Sequence, residues 1–66
     1  MKLRMMKKHT KIIKKAFIPD EEKIVYCNFT TDELIKVITI NEMGCVVVYM
    51  IQYTGTYAVV ERSLKL

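Results

Sequence analysis

The sequence predicts one small α+β domain in which a basic amphipathic helix packs on a largely antiparallel sheet. Three observations carry this expectation. Residues 3–17 sort charged and apolar side chains onto opposite sides of a helix instead of alternating as a strand would. Residues 45–62 form two runs rich in β-branched and aromatic residues around a Thr54-Gly55 turn signal. Hydrophobic residues make up 52% of the 66, with only two Gly and one Pro, which allows a core but no linker or repeat. The expected order is helix, strand, short helix and hairpin (αβαββ), with a three-stranded sheet. A ββαββ order with an N-terminal hairpin is the alternative. Residues 1–66 form a single domain, with the basic helix over 1–18 and the sheet and short helix over 23–62.

The first helix rests on its wheel. At about 100° per residue, Arg4, Lys7, Lys8, Lys11, Lys14 and Lys15 fall within one arc of about 120°. Leu3, Met5, Met6, Ile12, Ile13, Ala16 and Phe17 occupy the opposite side, with His9 and Thr10 in its middle. Pro19 ends the helix, because the residue before proline is pushed out of the helical region. Lys14 and Lys15 complement the dipole at the C-terminal end, whereas Lys2 and Arg4 oppose it at the other. In the alternative, Lys11–Ile18 would pair with Lys23–Phe29 around Pro19-Asp20-Glu21-Glu22.

Residues 23–29 alternate as a strand, with Val25, Cys27 and Phe29 on one face and Ile24, Tyr26 and Asn28 on the other. Thr30-Thr31-Asp32-Glu33 has capping-box spacing, and Phe29 and Leu34 suit a hydrophobic staple, so a short helix is expected from there to Glu42 with Gly44 as its left-handed cap. Against it, Ile35, Val37, Ile38, Thr39 and Ile40 are β-branched and would also suit a strand. The final hairpin is expected to turn on Gly55-Thr56, since a turn on Thr54-Gly55 asks positive φ of Thr54. Either register places Val47, Tyr49, Ile51 and Tyr53 on one face with Ala58, Val60 and Arg62. Tyr57, Val59 and Glu61 then fall on the other face with Val46, Val48, Met50 and Gln52. Both faces are mostly apolar, so helices should cover one and a subunit or partner the other.

The charge distribution is segregated. The first nineteen residues carry seven Lys/Arg and no acid. From Asp20 onward four basic residues stand against all seven acids, so the rest of the chain is net acidic while the whole chain carries +4. Segregation of this kind reports on what a chain touches. Met5 and Met6 are possible alternative starts that would keep five of the seven cations. The start resembles a signal n-region without the apolar stretch that would follow it, and it has no Ser as a presequence would. The longest apolar run, Cys45–Ile51, is far short of the ~20 residues a membrane span needs. A cytoplasmic protein is expected, and its small size favours a homodimer.

Catalytic constellations are nearly absent from the residue inventory. His9 is expected to be packed, Ser63 lies near the C-terminus, and Asp20, Glu21 and Glu22 suit a solvated turn. Cys27 and Cys45 are expected as reduced thiols, and with His9 they match no zinc-ligand spacing. No enzyme activity, cofactor or metal is therefore expected. The leading function is a small regulatory or binding protein whose candidate site is Arg4, Lys7, Lys8, Lys11, Lys14 and Lys15. The like-charge i,i+4 pairs Arg4–Lys8, Lys7–Lys11 and Lys11–Lys15 each destabilise a free helix by a few tenths of a kcal/mol, and an anionic partner relieves that repulsion.

Nucleic acid is the first such partner. Lysine dominance points to phosphate contact rather than base reading, which favours bidentate Arg. Tyr26 or Tyr57 could stack a base. An acidic protein surface, as for a small inhibitor or adaptor of a host or partner protein encoded by a mobile element, is the alternative. An anionic membrane surface is a further candidate, since apolar residues lie opposite the lysines, but the apolar side has one aromatic, Phe17, and His9 and Thr10 interrupt it. An ordinary solvated lysine face is the bland reading.

Overall fold

The computed structural model describes residues 3–65, and side chains over 6–65. It contains one helix and four strands: α1 (Leu3–Phe17), β1 (Lys23–Phe29), β2 (Leu34–Ile40), β3 (Val46–Tyr53) and β4 (Tyr57–Lys65). The strands form an antiparallel meander in the order β1-β2-β3-β4, and α1 covers one face. The α+β class holds, but the sheet has four strands rather than three and the second helix does not exist. The N-terminal hairpin alternative fails as well, since residues 11–17 are helical.

The missing helix has a specific cause. Thr31 Oγ1 accepts hydrogen bonds from the Glu33 and Leu34 amides at 3.2 and 3.1 Å, the bonding an N-cap would make. Here the hydroxyl closes a hairpin loop, and Thr30 N–H donates to the Leu34 carbonyl at 2.7 Å. A Thr side chain bonding amides two and three residues ahead serves a turn as well as a cap. The residues of β2 decide the outcome. Ile35, Val37 and Thr39 are fully buried, each flanked by a strand on both sides, a position that β-branched residues fill well.

Gly44, expected as a helix cap, serves instead in the β2–β3 turn with φ +82°. Asn41 Oδ1 accepts from the Met43 and Cys45 amides, both at 2.9 Å, and Gly44 N–H donates to the Asn41 carbonyl at 3.0 Å. Nothing lies within 4 Å of where a Gly44 Cβ would sit, so Gly44→Ala meets only left-handed backbone strain. A loss of about 1–2 kcal/mol in unfolding free energy is expected, read as a lower chemical denaturation midpoint, without loss of fold.

The β3–β4 hairpin also departs from the expected register. Tyr53 pairs with Tyr57 across Thr54–Thr56, so the loop has three residues, with Gly55 at φ +94°. A bulge at Val60 then restores the expected pairing, with Met50 opposite Glu61 and Tyr49 opposite Arg62. The consequence is that Tyr57 and Val59 lie on the inner face with Tyr53 and Ile51, and Ala58 moves to the outer one. A second bulge, at Val25 in β1, leaves Ile24, Cys27 and Phe29 facing inward.

The core lies between helix and sheet. Ile13 and Ile18 meet Ile35, Val37, Val47, Tyr49 and Ile51, all buried, while Phe17, Ile24, Cys27, Phe29, Tyr53 and Tyr57 pack around them. The outer face is a grid read from the pairing. One row runs Tyr26, Ile38, Val48, Ser63, and its neighbours run Asn28, Lys36, Met50, Glu61 and Lys23, Ile40, Val46, Lys65. No element of the described chain covers it.

Candidate nucleic-acid interface

Helix α1 is fixed by its apolar side. Met6, His9 and Ile13 are buried against the sheet, and Thr10, half-buried, returns its hydroxyl to the Met6 carbonyl at 2.7 Å. The His9 ring lies edge-on to Phe29, Tyr53 and Tyr57, with centroids 5.4, 4.8 and 5.8 Å away. Its Nδ1 shares a hydrogen bond with the Tyr57 hydroxyl. His9 is thus an anchor that joins the helix to β1, β3 and β4. Sequence reasoning placed it on the packed side but missed its partners, because the Tyr57 side depends on the three-residue loop.

Opposite this anchor, Lys7, Lys8, Lys11 and Lys15 are all exposed. Lys14 is not free in the same way. It is half-buried, and its Nζ donates to the Glu22 carbonyl at 2.8 Å and the Pro19 carbonyl at 3.3 Å, holding the turn that leads into β1. Arg4 belongs to the helix, but its side chain lies outside the described residues. Among the described residues the one ion pair is Arg62 with Glu22, so none of the four exposed lysines has an acidic partner. Exposed Asp20 and Glu21 line the same surface depression as Lys11, Lys14 and Lys15. The positive field is therefore least offset toward Lys7 and Lys8, which lie outside that depression.

Neither stacking candidate joins this surface. Tyr57 packs inward against His9, and Tyr26, 45% exposed, stands on the outer sheet face away from the helix. The chemistry available on the lysine arc is therefore charge neutralisation without base stacking.

The acidic turn was only partly legible. Asp20 and Glu21 are solvated, but Glu22 is 6% exposed. Its Oε1 accepts from the Tyr49 hydroxyl at 2.7 Å and from Thr39 Oγ1 at 2.8 Å, and Oε2 lies 3.8 Å from Arg62 Nη2. The Arg62 guanidinium also sits 5.7 Å from the Tyr49 ring centre. Two hydroxyl donors and one guanidinium charge, from three strands, compensate the buried carboxylate, which ties the chain between α1 and β1 to the sheet.

Burial raises the Tyr49 phenol above its ordinary value, and the hydrogen bond to Glu22 adds to the rise. Burial likewise raises Tyr57, with Tyr53 and Cys27 adding to it. A raised folded pKa means that the native state holds the proton more tightly than the unfolded chain. This stability is complete below pH about 10 and is lost as pH rises through the folded values. The denaturation midpoint is expected to fall above pH about 10, and Tyr49→Phe should flatten that fall.

Among the described residues no group of three or more His, Cys, Asp or Glu side chains is arranged to hold a metal ion, and both cysteines are unbonded. Among them, too, no helix is long and apolar enough to cross a membrane. No protein-family model, curated protein sequence or solved structure matches the chain.

Proposed function

We propose that the chain is a small non-enzymatic binding protein whose α1 lysine arc engages nucleic-acid phosphates. The observation that carries this reading is the exposure of Lys7, Lys8, Lys11 and Lys15 on one side of a docked helix, with no acid in the first nineteen residues. A face evolved only for solubility mixes signs, because i,i+4 acid–base pairs stabilise a helix and like pairs oppose it. Here the helix tolerates the repulsion because its other side is fixed in the core. Phosphates at the arc would relieve it and release condensed counterions.

Five of the six arc residues are lysine and none is aromatic, which supports backbone contact without sequence preference. The test is retention on mixed-sequence DNA and RNA as salt is raised. Binding at low salt that falls linearly on a log–log plot, with a slope of about −3 to −4 on duplex, supports four phosphate contacts. No retention on either nucleic acid at low salt refutes the reading. Co-purification with one stoichiometric protein after nuclease treatment would favour an acidic protein target instead.

A further inference from the structure

We propose that the outer face of the sheet docks a second copy of this chain, face to face, so that β2 of one protomer lies over β3 of its partner. The face is apolar across its centre, where Tyr26, Ile38, Ile40, Val46, Val48 and Met50 form adjacent pairs over three strands. Tyr26 and Ile40 are exposed and the other four half-buried, with no layer above them. A contiguous apolar patch on this scale marks an interaction surface.

Charge placement chooses the occupant. The row Asn28, Lys36, Met50, Glu61 puts a cation on β2 and an acid on β4, two strands apart. A two-fold axis along the strand direction carries β1 over the partner's β4 and β2 over the partner's β3. Each Lys36 then faces Met50 across the interface, one strand from the other protomer's Glu61, and Asn28 lies opposite that Glu61. Sheets about 10 Å apart put both within side-chain reach. The relation is self-complementary, as an isologous interface requires. The same axis sets Lys23 opposite the partner's Lys65 at both edges of the stack, a like-charge pairing that weakens the dimer but falls on exposed side chains at the ends of a row.

The size of the face sets the strength. Four strands at ~4.8 Å and about seven residues at ~3.3 Å give roughly 440 Å² of flat area per protomer. The pair thus covers roughly 900 Å², just under the ~1,000 Å² at which specific interfaces begin, so a weak, reversible dimer is expected. In this stack the two helices lie on opposite outer sides and their lysine arcs point away from each other. The dimer does not depend on what those arcs bind.

The experiment is sedimentation equilibrium of the full chain from low micromolar to millimolar concentration. The expected result is a reversible monomer–dimer equilibrium. Val48→Arg, which places a charge at the centre of the face, should leave a monomer, with far-UV circular dichroism verifying the fold. Because that variant tests folding as well as docking, Lys36→Glu and Glu61→Lys are measured separately and together. Each alone should raise the dissociation constant by about tenfold, and the double variant should recover most of the loss. A wild-type chain that stays monomeric at millimolar concentration overturns the proposal. So does a dimer insensitive to these changes, which would place the contact elsewhere, such as the β4 edge, and so does a double variant no better than the singles.

Discussion

Replacing Lys7, Lys8, Lys11 and Lys15 together by Glu is expected to abolish nucleic-acid binding while leaving the thermal transition in place. The four side chains are exposed, and none has an acidic partner among the described residues, so their replacement breaks no ion pair and exposes no core. The variant turns a local charge of +4 into −4 and should repel phosphate at any salt concentration. Single changes grade the effect. Lys11→Ala should weaken binding equally across sequences and reduce the salt slope by about one. Lys14→Ala provides the contrast. Its Nζ is held by the Pro19 and Glu22 carbonyls, so the expected result is an unchanged slope and a lower denaturation midpoint. If Lys14 affects the slope as strongly as Lys11 does, the arc is broader than the exposure pattern indicates.

Ile13→Ala is expected to remove about 2–5 kcal/mol of stability, whereas Ile12→Ala next to it should change stability by less than about 0.5 kcal/mol. Ile13 is fully buried between helix and sheet, and Ile12 is 40% exposed on the flank of the helix. A domain of this length has a total stability of roughly 3–10 kcal/mol, so the first substitution consumes a large share of it. Urea denaturation followed by far-UV circular dichroism reads both variants. The pair also tests how the lysine arc is oriented, because a rotation of α1 that buried Ile12 would carry Lys8 toward the sheet.

The elements behind these expected results differ in legibility. Helix α1 was readable because one periodicity governs both of its sides: lysines at one angle, Met6, His9 and Ile13 at the other. The segment 30–40 was not. Its opening, Thr30-Thr31-Asp32-Glu33, suits a helix cap through the Thr30 hydroxyl and a hairpin loop through Thr31, whose hydroxyl is the one that accepts from the Glu33 and Leu34 amides. The choice was made downstream, where Ile35, Val37 and Thr39 fill sites between β1 and β3. Residue pattern alone hinted at it through β-branching, but pairing with strands on both sides converted the hint into a strand. Glu22 was obscured for a related reason. Three acids beside a proline resemble a solvated turn, and only the approach of Thr39, Tyr49 and Arg62 from three separate strands distinguishes the third from the first two.

The sequence by itself determined the α+β class, the helix and its lysine arc, because hydrophobic periodicity and charge segregation are local quantities that need no partner. The tertiary structure decided the fourth strand, the inward side of Tyr57, the burial of Glu22 and the diversion of Lys14 from the arc. Each of these depends on contacts between residues distant in sequence, where a one-residue change of loop or a bulge such as that at Val60 exchanges the faces of a strand. The charge asymmetry at the start of the chain thus fixed where to look for a partner, and the packing beneath it fixed which cations are free to meet one.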